Sequence, residues 1–199
     1  MNSFSNTFMS SYLHALQEHI CVFGLLDSLN GDFKAAANLI VNTLQSKHKL
    51  IVAGNGGSAS DSAHFVAELT GRYELERDPV QAIDLVSNSS AITAISNDYS
   101  YSEVFTRQLQ ALSNPGDLLI CISTSGKSSN LVNAAVKAKK LGLNVLSLLG
   151  KDGGLLLTLS DSYILVPSNR VSRIQEAHIF ILHEISSIID YVFTKEQND

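Results

Sequence analysis

Residues 49–71, KLIVAGNGGSASDSAHFVAELTG, decide how this chain is read. Leu50, Ile51 and Val52 form a short apolar run closing on Ala53 and Gly54, the profile of a strand buried on both faces of a parallel sheet. A turn of small residues follows, Asn55, Gly56, Gly57 and Ser58, and residues 59–69 read as a helix. On that helix Asp61, His64 and Glu68 are spaced three and then four apart, so one face carries all three side chains. Open α/β sheets bind ligands at such a place, beside a turn at a strand's carboxyl end. The rest of the chain is then expected to supply a phosphate grip and a second acid/base group.

Four more short apolar runs follow, at 81–86, 118–123, 144–149 and 163–166. Between them lie helical or loop patterns, notably 100–112, 130–141 and 153–159, and a long apolar helix closes the chain from 172 to about 193. Strands alternating with helices predict a parallel sheet covered on both faces, a doubly wound α/β sandwich of about five strands. Ahead of it, Phe4, Phe8, Tyr12, Leu13, Leu16 and Ile20 recur at helical spacing. After a break at 28–31, Phe33, Ala36, Leu39, Ile40 and Leu44 repeat the pattern. Neither helix belongs to a βα unit. The first is expected to cover another copy of the chain, because an aromatic stripe is costly to leave wet, although packing on the chain's own sheet is open too. The expected organisation is one domain over 1–199, with residues 1–46 as leading helices that pack in an oligomer and 47–193 as the sandwich.

Composition narrows the function. The 199 residues are enough for one domain with a proper core. Fourteen Lys plus Arg against nineteen Asp plus Glu leave a net charge of −5 and no basic tract, which argues against direct nucleic-acid binding. The two cysteines, Cys21 and Cys121, offer neither a disulfide framework nor a Cys-rich zinc site. No leading segment has the form of a signal peptide and no apolar run reaches bilayer length, so a soluble cytoplasmic protein without a membrane partner is expected.

Three further stretches could carry chemistry. Ser123, Thr124, Ser125 and Ser128 lie between the run LLICI and the helix NLVNAAVKAKKLG, and hydroxyls plus free N–H groups at a helix start favour an anion such as phosphate. The plain alternative is a Ser-rich loop with an ordinary Ser cap, and the spacing is neither a Walker loop nor GxGxxG. The closing helix SRIQEAHIFILHEISSIIDYVF presents Gln175 and His183 on one face, a pair that could equally be structural, whereas His178 reads as structural. Asn97, Asp98 and Tyr99, with Arg72 and Tyr73, sit where they could reach sugar hydroxyls. His64 and Glu68 also have the i, i+4 geometry of two metal ligands.

Taken together, AGNGGSASDSAHFVAELTGRY, AITAISNDY, PGDLLICISTSGKSSNLV, LGKDGG and VPSNRVSRIQEAHIFILHE resemble, in order and spacing, the sugar isomerase (SIS) domain proteins of the phosphoheptose isomerase type, over about 28–190. The resemblance implies a flavodoxin-like three-layer α/β/α sandwich with a five-stranded parallel sheet, and a homotetramer with active sites at subunit contacts. It implies interconversion of sedoheptulose 7-phosphate and D-glycero-D-manno-heptose 7-phosphate through an enediol, the opening step of ADP-heptose synthesis for lipopolysaccharide. Glu68 would be the base and His183 the acid. Ser123, Thr124, Ser125 and Ser128 would hold the phosphate, with Asn55, Gly56, Gly57 and Ser58 at the first turn. Asp61, Arg72, Asn97, Asp98 and Gln175 would contact the sugar chain. His64, Glu68, Gln175 and His183 would bind zinc, and whether Glu68 and His183 act as ligands or as proton carriers is open at this level.

The chain departs from the family pattern at Lys127, where many relatives have Asn, and at Asn88 and Ser89, where relatives often have Asp-Thr or Asp-Val. Both bear on substrate affinity more than on reaction type. The rival reading is a non-catalytic SIS paralogue that binds the replication initiator protein. Such a protein tends to lose the Glu of the HFxxE segment and the second His of the closing helix, and Glu68 and His183 are both present. A sugar-phosphate-sensing regulator would need a DNA-binding domain for which the chain has neither room nor charge.

Overall fold

The computed structural model of the chain describes residues 2–195, with side chains from 8 to 194. Five strands form one sheet: β1 (Leu50–Gly54), β2 (Ala82–Asp84), β3 (Leu118–Ser123), β4 (Asn144–Leu149) and β5 (Ser162–Leu165). Their order is β2-β1-β3-β4-β5 and every pairing is parallel. The helices are α1 (Asn2–Leu25), α2 (Asn30–Gln45), α3 (Gly57–Thr70), α4 (Ser89–Asp98), α5 (Val104–Leu112), α6 (Ser129–Lys140), α7 (Gly154–Leu159) and α8 (Val171–Lys195). This is the doubly wound sandwich expected from the alternation of runs.

Strand residues alternate between two apolar layers, as a period-two pleat requires. Leu50, Val52, Leu118, Ile120, Ile122, Leu146 and Leu148 pack with residues of α2, α3 and α8. Ile51, Ala53, Leu119, Cys121, Val145 and Leu149 pack with α5, α6 and α7 on the other side. Both faces being covered explains why β1 and β3 are buried along their whole length. Burial also pushes the Cys121 thiol up to about 12, so it stays an inert packing group.

Several boundaries differ from expectation for local reasons. The apolar run 81–86 yields only a three-residue strand, because the Asp84 carboxylate accepts from the N–H groups of Val86 and Ser87 and folds the chain into a turn. The break at 28–31 is a single 3-10 turn, Leu26–Leu29, and Gly31 lies inside α2. Helix α4 had no clear periodic signal, yet Asn88, one of the departures from the family pattern, caps it by accepting from the Ala91 N–H at 3.0 Å.

The two leading helices part company. Ala36, Ile40 and Leu44 of α2 are buried in the chain's own core, whereas Phe8, Tyr12 and Ile20 of α1 are each about 60% exposed. Phe4, at the head of that stripe, lies outside the described side chains. Among the described residues no helix is long and apolar enough to cross a membrane.

His178 is fully buried on α8, and its Nε2 donates to the Leu149 carbonyl at 3.1 Å while Nδ1 has no partner. Burial lowers its pKa to about 4, below the ordinary value of 6.5. The folded form therefore refuses a proton that the unfolded chain accepts. Stability should be intact above about pH 6.5 and fall as pH drops towards 4, by up to about 3 kcal/mol from this residue. Urea unfolding midpoints between pH 4.5 and 7 should show this slope in the wild type, and a smaller one in His178→Gln.

Candidate active site

Helices α3 and α8 run side by side in the same direction on one face of the sheet, and their contacts come in sequence. Gly57, at the start of α3, lies so close to Gln175 that a Cβ there would sit 2.2 Å from the amide nitrogen. Seven residues further along α3, His64 meets His183 of α8. A side chain at position 57 would therefore displace the Gln175 amide from its place beside the helix start.

At the first contact, a cavity of about 200 Å3 opens at the carboxyl ends of β1 and β3. Asn55, Ser58, Ser123, Thr124, Ser125, Ser128 and Gln175 line it, together with Ile122 and Val171. The strand order reverses between β1 and β3, so this is the topological switch point where such sheets bind ligands. The cavity lies between the amino ends of α3 and α6. Ser128 is the cap residue of α6, yet its side chain makes no capping bond, and α3 likewise has no side-chain cap. At α3 the Ser58 and Ala59 N–H groups turn to the Asn55 and Gly56 carbonyls, and at α6 the Leu131 N–H is taken by Asn130 Oδ1, so the partial positive charge of the two helix ends is what faces the cavity. Within the loop, Ser123 Oγ accepts from the Gly126 N–H at 3.0 Å and Ser125 Oγ from the Lys127 N–H at 3.3 Å. Gly126 holds the loop in place: at φ +62 it crosses so near the Gly153 carbonyl that a Cβ would lie 1.8 Å from its oxygen.

At the second contact, His64 Nε2 is 3.1 Å from His183 Nε2 and 3.4 Å from Glu68 Oε1. One imidazole must donate through Nε2 and the other accept, so they are opposite tautomers or share an added proton. The Tyr73 ring stacks on His183 with centroids 5.5 Å apart at 19°. Its hydroxyl is held above the usual range by desolvation and by nearby Glu74, Glu184, Glu68 and Asp190, which keeps it a neutral donor. Asp61, one turn before His64, has Oδ2 buried without a partner. Burial pushes this carboxyl up and the two imidazoles pull it partly back.

The two places are six residues apart along α3, from Ser58 to His64, or about 9 Å of helix rise. Anion donors at one end and acid/base groups at the other suit an extended phosphorylated chain. A larger groove of about 380 Å3 is mostly apolar, with Phe23, Phe33, Phe180 and Ile181, and its charged members Asp27 and Glu184 are carboxylates unsuited to an anion.

Comparison with known proteins shows the family. The SIS domain family matches residues 12–150, more than half of the chain. A phosphoheptose isomerase from Helicobacter pylori (strain P12) is 51% identical over 168 residues, covering 84% of this chain and 88% of that protein. One from Campylobacter concisus is 46% identical over 178 residues, covering 89% and 94%. The solved phosphoheptose isomerase from Neisseria gonorrhoeae superposes with a TM-score of 0.88 at 36% identity, covering 92% of this chain and 99% of that one. The chain belongs to the phosphoheptose isomerase family of SIS-domain proteins. The reading as a paralogue that binds the replication initiator has no support among these relatives.

Not every residue singled out in the sequence reaches the cavity or the imidazole pair. Arg72 is exposed and turns back onto the Glu74 carbonyl and Glu76. Asn97 and Asp98 are exposed and bond each other. Lys127, one of the departures from the family pattern, pairs with Asp152 at 2.7 Å, so its charge is already matched by the loop after β4.

Two polar residues of the site were missed in the sequence, Tyr101 and Asn130. Asn130 is buried and exchanges amide bonds with Asn55, at 3.0 and 2.9 Å, while Tyr101 Oη donates to Asn55 Oδ1 at 2.8 Å. Asn130 stands only two residues beyond Ser128, and that nearness was the available signal. Replacing Asn130 with Leu should leave Asn55 held by Tyr101 alone and strand the Leu131 N–H. We expect affinity for a sugar phosphate to fall about tenfold, the worth of one lost buried hydrogen bond, as read by calorimetry.

Proposed function

We propose that this chain interconverts sedoheptulose 7-phosphate and D-glycero-D-manno-heptose 7-phosphate, with the phosphate in the hydroxyl-lined cavity and the reacting carbons beside Glu68 and His183. The observation that carries this reading is His64 Nε2 lying within reach of both groups, 3.4 Å from Glu68 and 3.1 Å from His183, on helices that also border the cavity. Family membership supplies the reaction class, an aldose–ketose isomerisation.

In the ketose-to-aldose direction, the Glu68 carboxylate removes a proton from C1. The C1–H electron pair becomes the C1–C2 double bond, the carbonyl π pair moves onto O2, and the His183 imidazolium protonates that oxygen. The resulting enediol collapses in mirror fashion: neutral His183 takes the O1 proton, C1 becomes the carbonyl, and Glu68 returns its proton to C2. Both residues end in their starting states. His64 holds His183 Nε2 at 3.1 Å, and Tyr73 holds that ring by stacking.

Zinc is part of this proposal. Ligand nitrogens on one tetrahedral zinc lie about 3.3 Å apart, since each bond is about 2.0–2.1 Å, and the two imidazole nitrogens are at 3.1 Å. Among the described residues no three His, Cys, Asp or Glu side chains form a ready-made metal cluster; His64, Glu68, Gln175 and His183 would hold the ion, with Glu68 and His183 then acting as ligands in place of the free proton carriers of the step above. Bound there, the ion would polarise the substrate oxygens. We further propose a homotetramer in which the exposed α1 stripe is buried and the site is shared between subunits, acting in the cytoplasm in the supply of heptose for lipopolysaccharide. Burying each large apolar side chain contributes about 1.5–3 kcal/mol, which gives the Phe8, Tyr12, Leu16 and Ile20 stripe a strong drive to pair. The single-domain organisation, with 1–46 serving the oligomer and 47–193 the sandwich, belongs to the same reading.

Incubation with sedoheptulose 7-phosphate in deuterated water should give an aldose signal and deuterium at the transferred position by proton NMR. Glu68→Gln should lower turnover about a hundred- to ten-thousand-fold, the usual worth of a positioned acid or base. Unchanged turnover in that variant would remove Glu68 from the mechanism. Elemental analysis of the purified protein should find zinc near one per chain, with marked loss in His64→Ala. Light scattering should give four times the chain mass for the wild type and a smaller species for Leu16→Glu.

A further inference from the structure

Beyond the two contacts that form the site, α3 and α8 share a third, deeper one. Arg77, in the loop after α3, is 4% exposed, and Asp190, on α8 two turns beyond His183, is 1% exposed. The Arg77 Nε donates to Asp190 Oδ1 at 2.7 Å. Its Nη2 donates to the Glu68 carbonyl at 2.9 Å, and its Nη1 to those of Leu69 and Asp78, each at 3.0 Å. Glu68 and Leu69 belong to the last turn of α3, where carbonyls have no partner within the helix and a positive charge is favoured. Asp190 Oδ2 meanwhile accepts from the Glu74 and Leu75 N–H groups at 2.7 and 2.8 Å. Those bonds pin the short loop that carries Tyr73 against His183.

We propose that the buried Arg77–Asp190 pair is a positioning device for the isomerase: it fixes the backbone of Glu68 and the Tyr73 loop to the helix that carries His183, and so sets the spacing of base and acid. The inference rests on the reading of Glu68 and His183 given above. A buried ion pair is a poor choice for stability alone, because an apolar pair of similar volume usually serves as well or better. An apolar pair could not grip two helix carbonyls and two loop amides at once. Burial by itself pushes the Asp190 carboxyl up, but the Leu75 and Glu74 N–H groups and Arg77 outweigh it and hold the group below the ordinary carboxylate range. The pair is thus ionised at neutral pH and lost only in acid, as pH falls through that lowered value.

The test compares Arg77→Lys, which keeps a cation opposite Asp190 but loses the grip on the Glu68 and Leu69 carbonyls, with the near-isosteric Asp190→Asn. Steady-state isomerisation is measured well below each variant's unfolding temperature, with Glu68→Gln alongside. We expect kcat to fall about ten- to a hundredfold in both, as a misplacement of about 1 Å can cost. KM should stay within about twofold and the pH profile of kcat should keep its shape. Hydrogen exchange should show the Glu74 and Leu75 amides losing protection in Asp190→Asn while the β3 amides keep theirs. If Asp190→Asn does not fold, Arg77→Lys decides alone. Folded variants with wild-type kcat, or a raised KM at unchanged kcat, overturn the proposal while a dead Glu68→Gln leaves the acid/base reading standing. Full turnover in Glu68→Gln overturns both.

Discussion

The parallel approach of α3 and α8 is the constraint on which the rest of this structure depends. Three contacts at nearly constant sequence offset hold the two helices in register. Gly57 meets Gln175, His64 meets His183, and the carbonyl end of α3 is tied through Arg77 to Asp190. Each has a different physical character: a side-chain amide laid on a glycine, a polar pair of titratable rings, and a buried ion pair. A slip of one helix by a residue would break all three, because a shift of 100° per residue turns every contact away. The apolar layer beneath them, with Phe65, Leu69, Ile174, Ala177 and Ile181, sets how closely the helices lie but cannot alone specify their register.

The sheet supplies the other half of the arrangement. All strands point the same way, so β1 and β3 deliver their following turns to one edge, and the order reversal leaves a crevice between them. Hydroxyls and the amino ends of two helices line that crevice. The His64–His183 contact and Glu68 lie further along the helices, away from that crevice.

Departures from the family pattern illustrate how local chemistry is absorbed. Lys127 spends its charge on Asp152, both ends well exposed, so the pair contributes little to stability and mainly ties two loops together. Asn88 trades one role for another by capping α4. Along α1, Tyr12 and Ile20 remain about 60% exposed.

Much of this was legible in the residues themselves. The buried runs at 50–54, 118–123 and 144–149, the helix with Asp61, His64 and Glu68 on one face, and the hydroxyl turn after LLICI follow from periodicity and turn chemistry, which are local properties. Their order also yields the parallel sandwich, since alternating strands and helices have few ways to connect. What the chain could not reveal is which distant groups meet. That His64 faces His183 across 119 residues, that Asn130 and Tyr101 lock Asn55, and that Arg77 grips Glu68 through its carbonyl depend on how closely two helices pack. The sequence by itself determined the elements, the sheet class and the chemical character of each turn, because these are set by neighbours along the chain. Only the tertiary structure decided the contacts between α3 and α8, because helix register is fixed by packing between residues far apart in sequence, which no local pattern records.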